Sequence, residues 1–373
     1  MLNMNFLNRF KNIKIFSGTF ASLDWPITIT LFFLSIFSIS AIYPISEISS
    51  QIFFIRQIVF FILGFLVMFL LFFIDFNRFK NQTYIFAFLY IFALILLFLP
   101  FLFGDMIRGS KSWISIGEFN MQPTEYVKII LLLVFAKYFS FRQIELYKPF
   151  HIIISAIYVA TPAFIIALMP DLGSALVILS LWLGMVIISG IRLKHLLIVF
   201  LIGAMLVTVL WGVFLEDYQK TRVLSFIYPN EDPLGASYSR NQALIAIGGG
   251  SIFGTGFGNG AQTIQGFLPE SHTDFIFANI AENTGLIGIT IVLFLFGFII
   301  WRLLHFQGKN SFANAYSLGL GILILFQALI NILINIGMLP VTGITLPFLS
   351  YGGSSLISLF IAIGIYQGFY SHS

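Results

Sequence analysis

The chain contains no cysteine, which removes disulfides, thiolate metal ligands and cysteine nucleophiles together. Charge is almost as scarce. Only 9% of the 373 residues are Asp, Glu, Lys or Arg, where a soluble domain carries about 25%. So few charges cannot cover a water-exposed surface. The net charge of +4 comes from basic residues that form no cluster, so a nucleic-acid partner is not expected. A nucleotide loop is missing too. Glycines 248, 249, 250, 254, 256, 258 and 260 suggest one at first, but the third residue after Gly256 is Asn259 and no Lys–Ser/Thr pair follows, so neither phosphate-loop spacing is met.

What fills the chain is apolar sequence, 59% of all residues. It falls into ten runs of about the 20 residues that cross a hydrocarbon core: 26–43, 53–74, 84–103, 124–139, 152–169, 172–190, 194–214, 274–301, 314–337 and 348–369. The expected fold is therefore an all-α integral membrane protein, residues 1–373 forming a single polytopic domain. The first run follows Arg9, Lys11 and Lys14 without a small-residue cleavage site and reads as a retained signal anchor. With ten spans both termini share one side. That side holds twelve of the nineteen basic residues but three of the fifteen acids, which makes it cytoplasmic. Its loops are short and leave no room for a nucleotide-binding domain, so ATP is not expected to drive this chain by itself.

The unusual sequence lies on the opposite side. Between the third and fourth runs stands GDMIRGSKSWISIGEFNMQPTEYVK, with Arg108, Lys111, Trp113, Glu125 and Lys128. Glu125 and Lys128 are three apart and share a helix face. They form either a helix-end ion pair or, because ionisable groups within spans face the bundle interior, part of a site. Asp171, in MPDLGSA, is open to the same two readings. A loop from about 215 to 273 is too long for a plain connection, and its glycines suggest a flexible, partly re-entrant segment over a cavity. It ends in PESHTDFIFANIAEN, where Glu270, His272 and Asp274 gather at the lip of the eighth run. Ser271 and Thr273 could make this an ordinary helix cap; the setting favours chemistry. Gln327, Asn331 and Asn335 recur every fourth residue on the ninth run, a pattern that is more often interhelical glue than a ligand site.

Five strings, QPTEYVK, PDLGSA, RVLSFIYP, PESHTDFIFANIAE and LPVTGITLPFLSYGGSSLI, resemble in order and spacing the SEDS family, named for shape, elongation, division and sporulation. The stretch NGAQTIQGFLPESHTDFIF is more like its elongation members than its division members. The resemblance implies a peptidoglycan glycosyltransferase of the bacterial cytoplasmic membrane that polymerises lipid II at the outer face. It also implies that Asp274 is the essential aspartate, that Glu125 and Lys128 are the polar pair of a QPSE-type motif, and that Arg108 and Lys111 belong to a basic outer loop. The implied partner is a class B penicillin-binding protein, a transpeptidase whose membrane helix docks beside the eighth and ninth spans. Asn283 and the order Gly249-Gly250-Ser251 depart from the family pattern.

The chemistry agrees with that assignment. Inverting transfer from a lipid diphosphate needs one base for the acceptor hydroxyl, and cations for the leaving group. Asp274 is the expected base. Arg108, Lys111, Lys128, Arg222 and Arg240 are candidates for the diphosphate, with Glu270 and His272 as further substrate-binding candidates, and a divalent cation (Mg²⁺ or Mn²⁺) could add to their charge. Glu282 is expected to be structural or a supporting partner. The rival readings are a flippase for the lipid-linked precursor, which requires polar groups along a route through both leaflets, and a scaffold that recruits the transpeptidase.

Overall fold

The computed structural model describes residues 22–48, 51–107, 110–117, 119–141, 149–213, 217–229, 232, 235 and 237–372. In chain order its helices are α1 (Trp25–Ile48), α2 (Ile52–Phe72), α3 (Thr83–Phe103), α4 (Pro123–Phe141), α5 (Pro149–Ala167), α6 (Leu172–Ile188) and α7 (Leu193–Val213). They continue with α8 (Asp217–Ile227), α9 (Tyr238–Gly249), α10 (Ala261–Ile264), α11 (Ile276–Leu304), α12 (Ser311–Asn335) and α13 (Gly353–Ser371). Every apolar run of the sequence becomes a helix. Seven of them, α1, α2, α3, α5, α11, α12 and α13, are long and apolar enough to cross a membrane. Of the other three, α4 carries Glu125, Lys128 and Lys137, α6 has 17 residues, and α7 is apolar through Val213.

The fold is not purely helical. Strands β1 (Asp105–Ile107), β2 (Ser110–Ile116) and β3 (Phe119–Met121) form a small antiparallel sheet in that order, with Asp105 opposite Trp113 and Ile114 opposite Met121. The turn between β2 and β3 uses Gly117 at φ +63°. The segment expected as a flexible loop, 215–273, also differs from expectation, because it contains α8, α9 and α10.

The glycine-rich part of that segment is stitched to a break in α11. Gly285 sits at φ 65°, ψ −162°, a conformation reserved for glycine, and the peptide groups released there find partners outside the helix. Leu286 and Ile287 N–H donate to the carbonyls of Ser251 and Ile252, while Thr255 and Gly256 N–H donate to those of Glu282 and Asn283. The Glu282 carboxylate accepts from Gln262 N–H at 2.8 Å and Thr263 N–H at 3.0 Å, and from the Thr263 hydroxyl. A buried charge is tolerated when its lone pairs are satisfied in this way, and this places Glu282 in the structural role.

Two further devices hold the bundle together. α2 and α13 approach so closely that a Cβ on Gly64 would lie 2.4 Å from the Phe360 ring and one on Gly364 3.0 Å from Met68 Cα; small residues permit such packing in an apolar solvent. At the start of α1, the fully buried Asp24 accepts from Arg302 Nε at 2.6 and 2.7 Å and from the Tyr366 hydroxyl at 2.8 Å. This ties α1 to the far ends of α11 and α13.

Candidate active site

The first turn of α4 begins at Pro123 and carries Glu125. One turn on, Lys128 Nζ donates to Glu125 Oε1 at 2.8 Å, with the two side chains 3% and 7% exposed. Lys128 also reaches Gln327 Oε1 on α12 at 3.4 Å. Glu125 Oε2 is buried without a hydrogen-bond partner, an arrangement that costs stability unless something else occupies the site.

Glu125, Lys128 and Asp274 line one cavity of about 60 Å³ together with Trp113, Gln122, Ser174 and the segment Gly343–Thr345. The structure therefore joins the polar pair of α4 to the lip of α11, two features 146 residues apart in sequence. Asp274 does not cap its helix. α11 starts at Ile276 with Phe275 as its N-cap and no side-chain cap bond, and the Thr273 hydroxyl is turned toward Glu270 Oε2 at 2.9 Å.

Asp171 caps α6, taking Ser174 N–H at 3.0 Å and the Ser174 hydroxyl at 2.8 Å, and Gln122 Nε2 at 3.1 Å. Both partners line the cavity, so this carboxylate shapes its wall. Removal from water pushes the Asp171 carboxyl above the usual carboxylate range; the Ser174 hydrogen bonds and the Lys128 charge pull it down, and Glu125 pushes it up.

A larger cavity of about 670 Å³ shares Trp113, Thr273, Tyr351, Gly352 and Ser354 with the first. Its far wall is apolar, with Phe53, Phe60 and Leu63 of α2 and Ile357 of α13, and it also carries Arg56, Glu270 and His272. The His272 ring lies 4.9 Å from Phe53 and 5.7 Å from Tyr351, centroid to centroid. Burial pushes the Tyr351 hydroxyl above its ordinary value, and Arg56, which lines the same cavity, partly offsets this through its hydrogen bond and charge. Arg56 is the functional candidate that the sequence reading passed over as a topology marker. The available signal was a lone charge inside an apolar run, which by default marks a site.

The remaining candidates are elsewhere. Arg222 and Arg240 line a separate cavity of about 20 Å³ with Ser225, Ser237 and Leu339–Val341, with Arg240 stacked over Phe226 at 5.7 Å. Lys111 is exposed and donates to the Phe101 carbonyl at 3.3 Å. Arg108 lies outside the described residues. Among the described residues no three His, Asp or Glu side chains converge as metal ligands.

The chain covers most of the length of several known proteins. It is 34% identical over 341 residues to stage V sporulation protein E of Bacillus subtilis, covering 90% of this chain and 92% of that one. It is 35% identical to the peptidoglycan glycosyltransferase MrdB of Escherichia coli, covering 76% and 77%, and 37% identical to the probable peptidoglycan glycosyltransferase FtsW of Haemophilus influenzae, covering 74% and 71%. Among solved structures it superposes on a chain from "Structural coordination of polymerization and crosslinking by a peptidoglycan synthase complex" with a TM-score of 0.78, at 29% identity, over 93% of this chain and 97% of that one. On the rod shape determining protein RodA of Thermus thermophilus the TM-score is 0.67, at 26% identity, over 93% and 96%. The FTSW_RODA_SPOVE family model, described as cell cycle protein, matches residues 21–372, and with that match the chain belongs to this family.

Proposed function

We propose that this chain is a peptidoglycan glycosyltransferase that polymerises lipid II, with Asp274 as general base. The observation that carries the reading is the meeting of Asp274 with the Glu125–Lys128 pair in one cavity, beside a second cavity whose wall is apolar and which holds Arg56. In this reading Asp274 takes the proton of the acceptor hydroxyl. The oxygen attacks the anomeric carbon of the donor and the bond from that carbon to the diphosphate breaks with inversion. Undecaprenyl diphosphate departs without a general acid, its charge met by Lys128 and Arg56 and its chain lying along Phe60 and Leu63. The proton then passes from Asp274 to water.

The same reading places ten helices, α1–α7 and α11–α13, across the bacterial cytoplasmic membrane with both termini in the cytoplasm and the cavity on the outer face. A reporter that fluoresces only in the cytoplasm should light at Arg78 and Arg192 and stay dark near residue 230. The flippase alternative is less well supported, because residues 285–300 of α11 carry no polar side chain but Thr290, which leaves no polar route through it. The name of the synthase-complex neighbour, with polymerisation and crosslinking together, supports a class B penicillin-binding protein as partner. We assign the chain to elongation on the stretch NGAQTIQGFLPESHTDFIF. A fluorescent fusion on the side wall supports that choice, and one confined to the septum supports the division role of the FtsW-named relatives.

The decisive experiment is Asp274→Asn, assayed with purified full-length protein, its transpeptidase partner and lipid II. Asparagine keeps the shape but cannot accept the proton, so the rate should fall by about 10²–10⁴ with melting temperature and partner binding retained. Near wild-type polymerisation would remove Asp274 as the base.

A further inference from the structure

The three-residue polar stripe of α12, Gln327, Asn331 and Asn335, is fully buried, and each member hydrogen-bonds a residue that lines the cavity. Gln327 Nε2 donates to the Thr345 carbonyl at 3.2 Å, and its Oε1 takes Lys128. Asn331 Nδ2 donates to the Asp274 carbonyl at 2.9 Å and to the Ile344 carbonyl at 2.7 Å. Asn335 Nδ2 donates to the same Asp274 carbonyl at 2.9 Å, while Asn335 Oδ1 accepts from Ala278 N–H at 3.0 Å.

The last pair has a specific meaning. In an uninterrupted helix the N–H of residue 278 would donate directly to the carbonyl of residue 274. Here the Asn335 amide stands between them, accepting from one and donating to the other, a side chain inserted into the hydrogen-bond ladder. The insertion holds Asp274 out of helical register, and α11 begins only at Ile276.

The preceding carbonyls are taken in the same manner. The Ser271 carbonyl accepts from Asn279 Nδ2 at 3.3 Å, the His272 carbonyl from Tyr351 N–H at 2.8 Å and the Thr273 carbonyl from the Ser350 hydroxyl at 2.6 Å. Four consecutive peptide groups are thus fastened to α11, to α12 and to the 344–351 turn. The Asp274 side chain leaves this fastened backbone toward the 343–345 wall, where a Cβ on Gly343 would lie 3.8 Å from Asp274 Oδ2.

We infer that Asn331 and Asn335 are positioning residues for the reaction: their amides grip the Asp274 carbonyl, keep the first turn of α11 open, and so aim the carboxylate at the acceptor hydroxyl. This inference rests on the reading of Asp274 as the base. Without the Asn335 amide, Ala278 N–H can bond the Asp274 carbonyl directly. The helix then gains a residue at its start and the carboxylate swings with it. Structure is conserved by that change and aim is lost, which separates positioning from simple support.

The test uses full-length Asn335→Ala and Asn331→Ala, purified with the transpeptidase partner and supplied with lipid II, beside Asp274→Asn. Misplacing a reacting group by about 1 Å costs on the order of 10² in rate, so kcat should fall by that order with KM unchanged. The acid limb of the pH–rate profile should also move, because the carboxylate changes its place relative to Lys128 and Glu125, the charged groups that line the same cavity. A loss of folded protein instead lowers the rate by one factor at every pH. The Ala278 amide should stay protected from hydrogen exchange in Asn335→Ala. If both asparagine variants turn over like wild type with an unmoved acid limb while Asp274→Asn is inactive, the positioning role is wrong and the base survives. If Asp274→Asn is active, both readings fall. Should Asn335→Ala fail to fold, Asn331→Ala decides alone: it removes the other amide from the Asp274 carbonyl, and an unchanged kcat there overturns the positioning role.

Discussion

Removing Lys128 should unfold more of this protein than removing Lys128 and Glu125 together. The pair is 3% and 7% exposed, with 2.8 Å between Nζ and Oε1, so water screens it little and the small value of a surface ion pair does not apply. In Lys128→Met the Glu125 carboxylate loses its donor at Oε1, and Oε2 already has none. Stranding one member of a buried pair costs about 3–5 kcal/mol. Replacing both by neutral side chains of similar volume, Glu125→Gln with Lys128→Met, removes charge and countercharge together and should return stability to within about 1 kcal/mol of wild type. The assay is a double-mutant cycle by reversible detergent unfolding. A coupling of several kcal/mol is expected, and singles that add to within about 0.5 kcal/mol would refute the pair as a buried unit. The stable double variant then isolates function. It lacks the cation of the inner cavity, and its polymerisation should stay down by roughly 10²-fold or more, the order lost with one transition-state donor.

Two other perturbations probe the scaffold. Asp24→Asn strands Arg302, which keeps 27% of its side-chain exposure, so the loss should sit near the low end of the buried-pair range, about 3 kcal/mol. Arg302 lies at the opposite end of α11 from Asp274, so turnover per folded molecule should not change, and a lowered kcat in the folded fraction would show that the two ends are coupled. Gly285→Ala puts a Cβ 2.4 Å from Gly254 N and 2.5 Å from the Ile252 carbonyl oxygen, in a conformation that costs about 1–3 kcal/mol before any clash. The 250–268 segment should detach, read as new protease cleavage within it, and an uncleaved, fully active variant would contradict the stitched break.

The helices were legible because a span is a one-dimensional property: about twenty apolar residues suffice, and each run needed only its own composition. The sheet at 105–121 was not. Its strands are three to seven residues long, too short for alternation to stand out, and it forms where the chain turns back between α3 and α4. The glycines at 248–260 suggest a flexible, partly re-entrant segment, but not what that segment packs against. For Gly250 and Gly254 the reason is the backbone of α11 just before its break, where a Cβ on them would lie 2.0 Å from the Ala281 carbonyl oxygen and 2.2 Å from that of Asn283, partners far downstream that no local pattern announces.

The site divides along the same line. Asp274 was legible because a charge at the boundary of an apolar run is conspicuous, and Glu125 with Lys128 because a spacing of three fixes their shared face. Arg56 was equally conspicuous but was spent on orientation. The asparagines were seen as a stripe and read as glue, the commoner use of such a pattern. What a sequence cannot show is which backbone groups a distant amide will meet. Asn335 matters because the Asp274 carbonyl and the Ala278 N–H both fall within reach of one side chain, and that coincidence exists only after α11 and α12 have packed. An ion pair can be guessed from two side chains, whereas a side chain that replaces a backbone hydrogen bond is defined by three residues on two helices. The residues that aim a catalytic group are therefore harder to read from sequence than the group they aim.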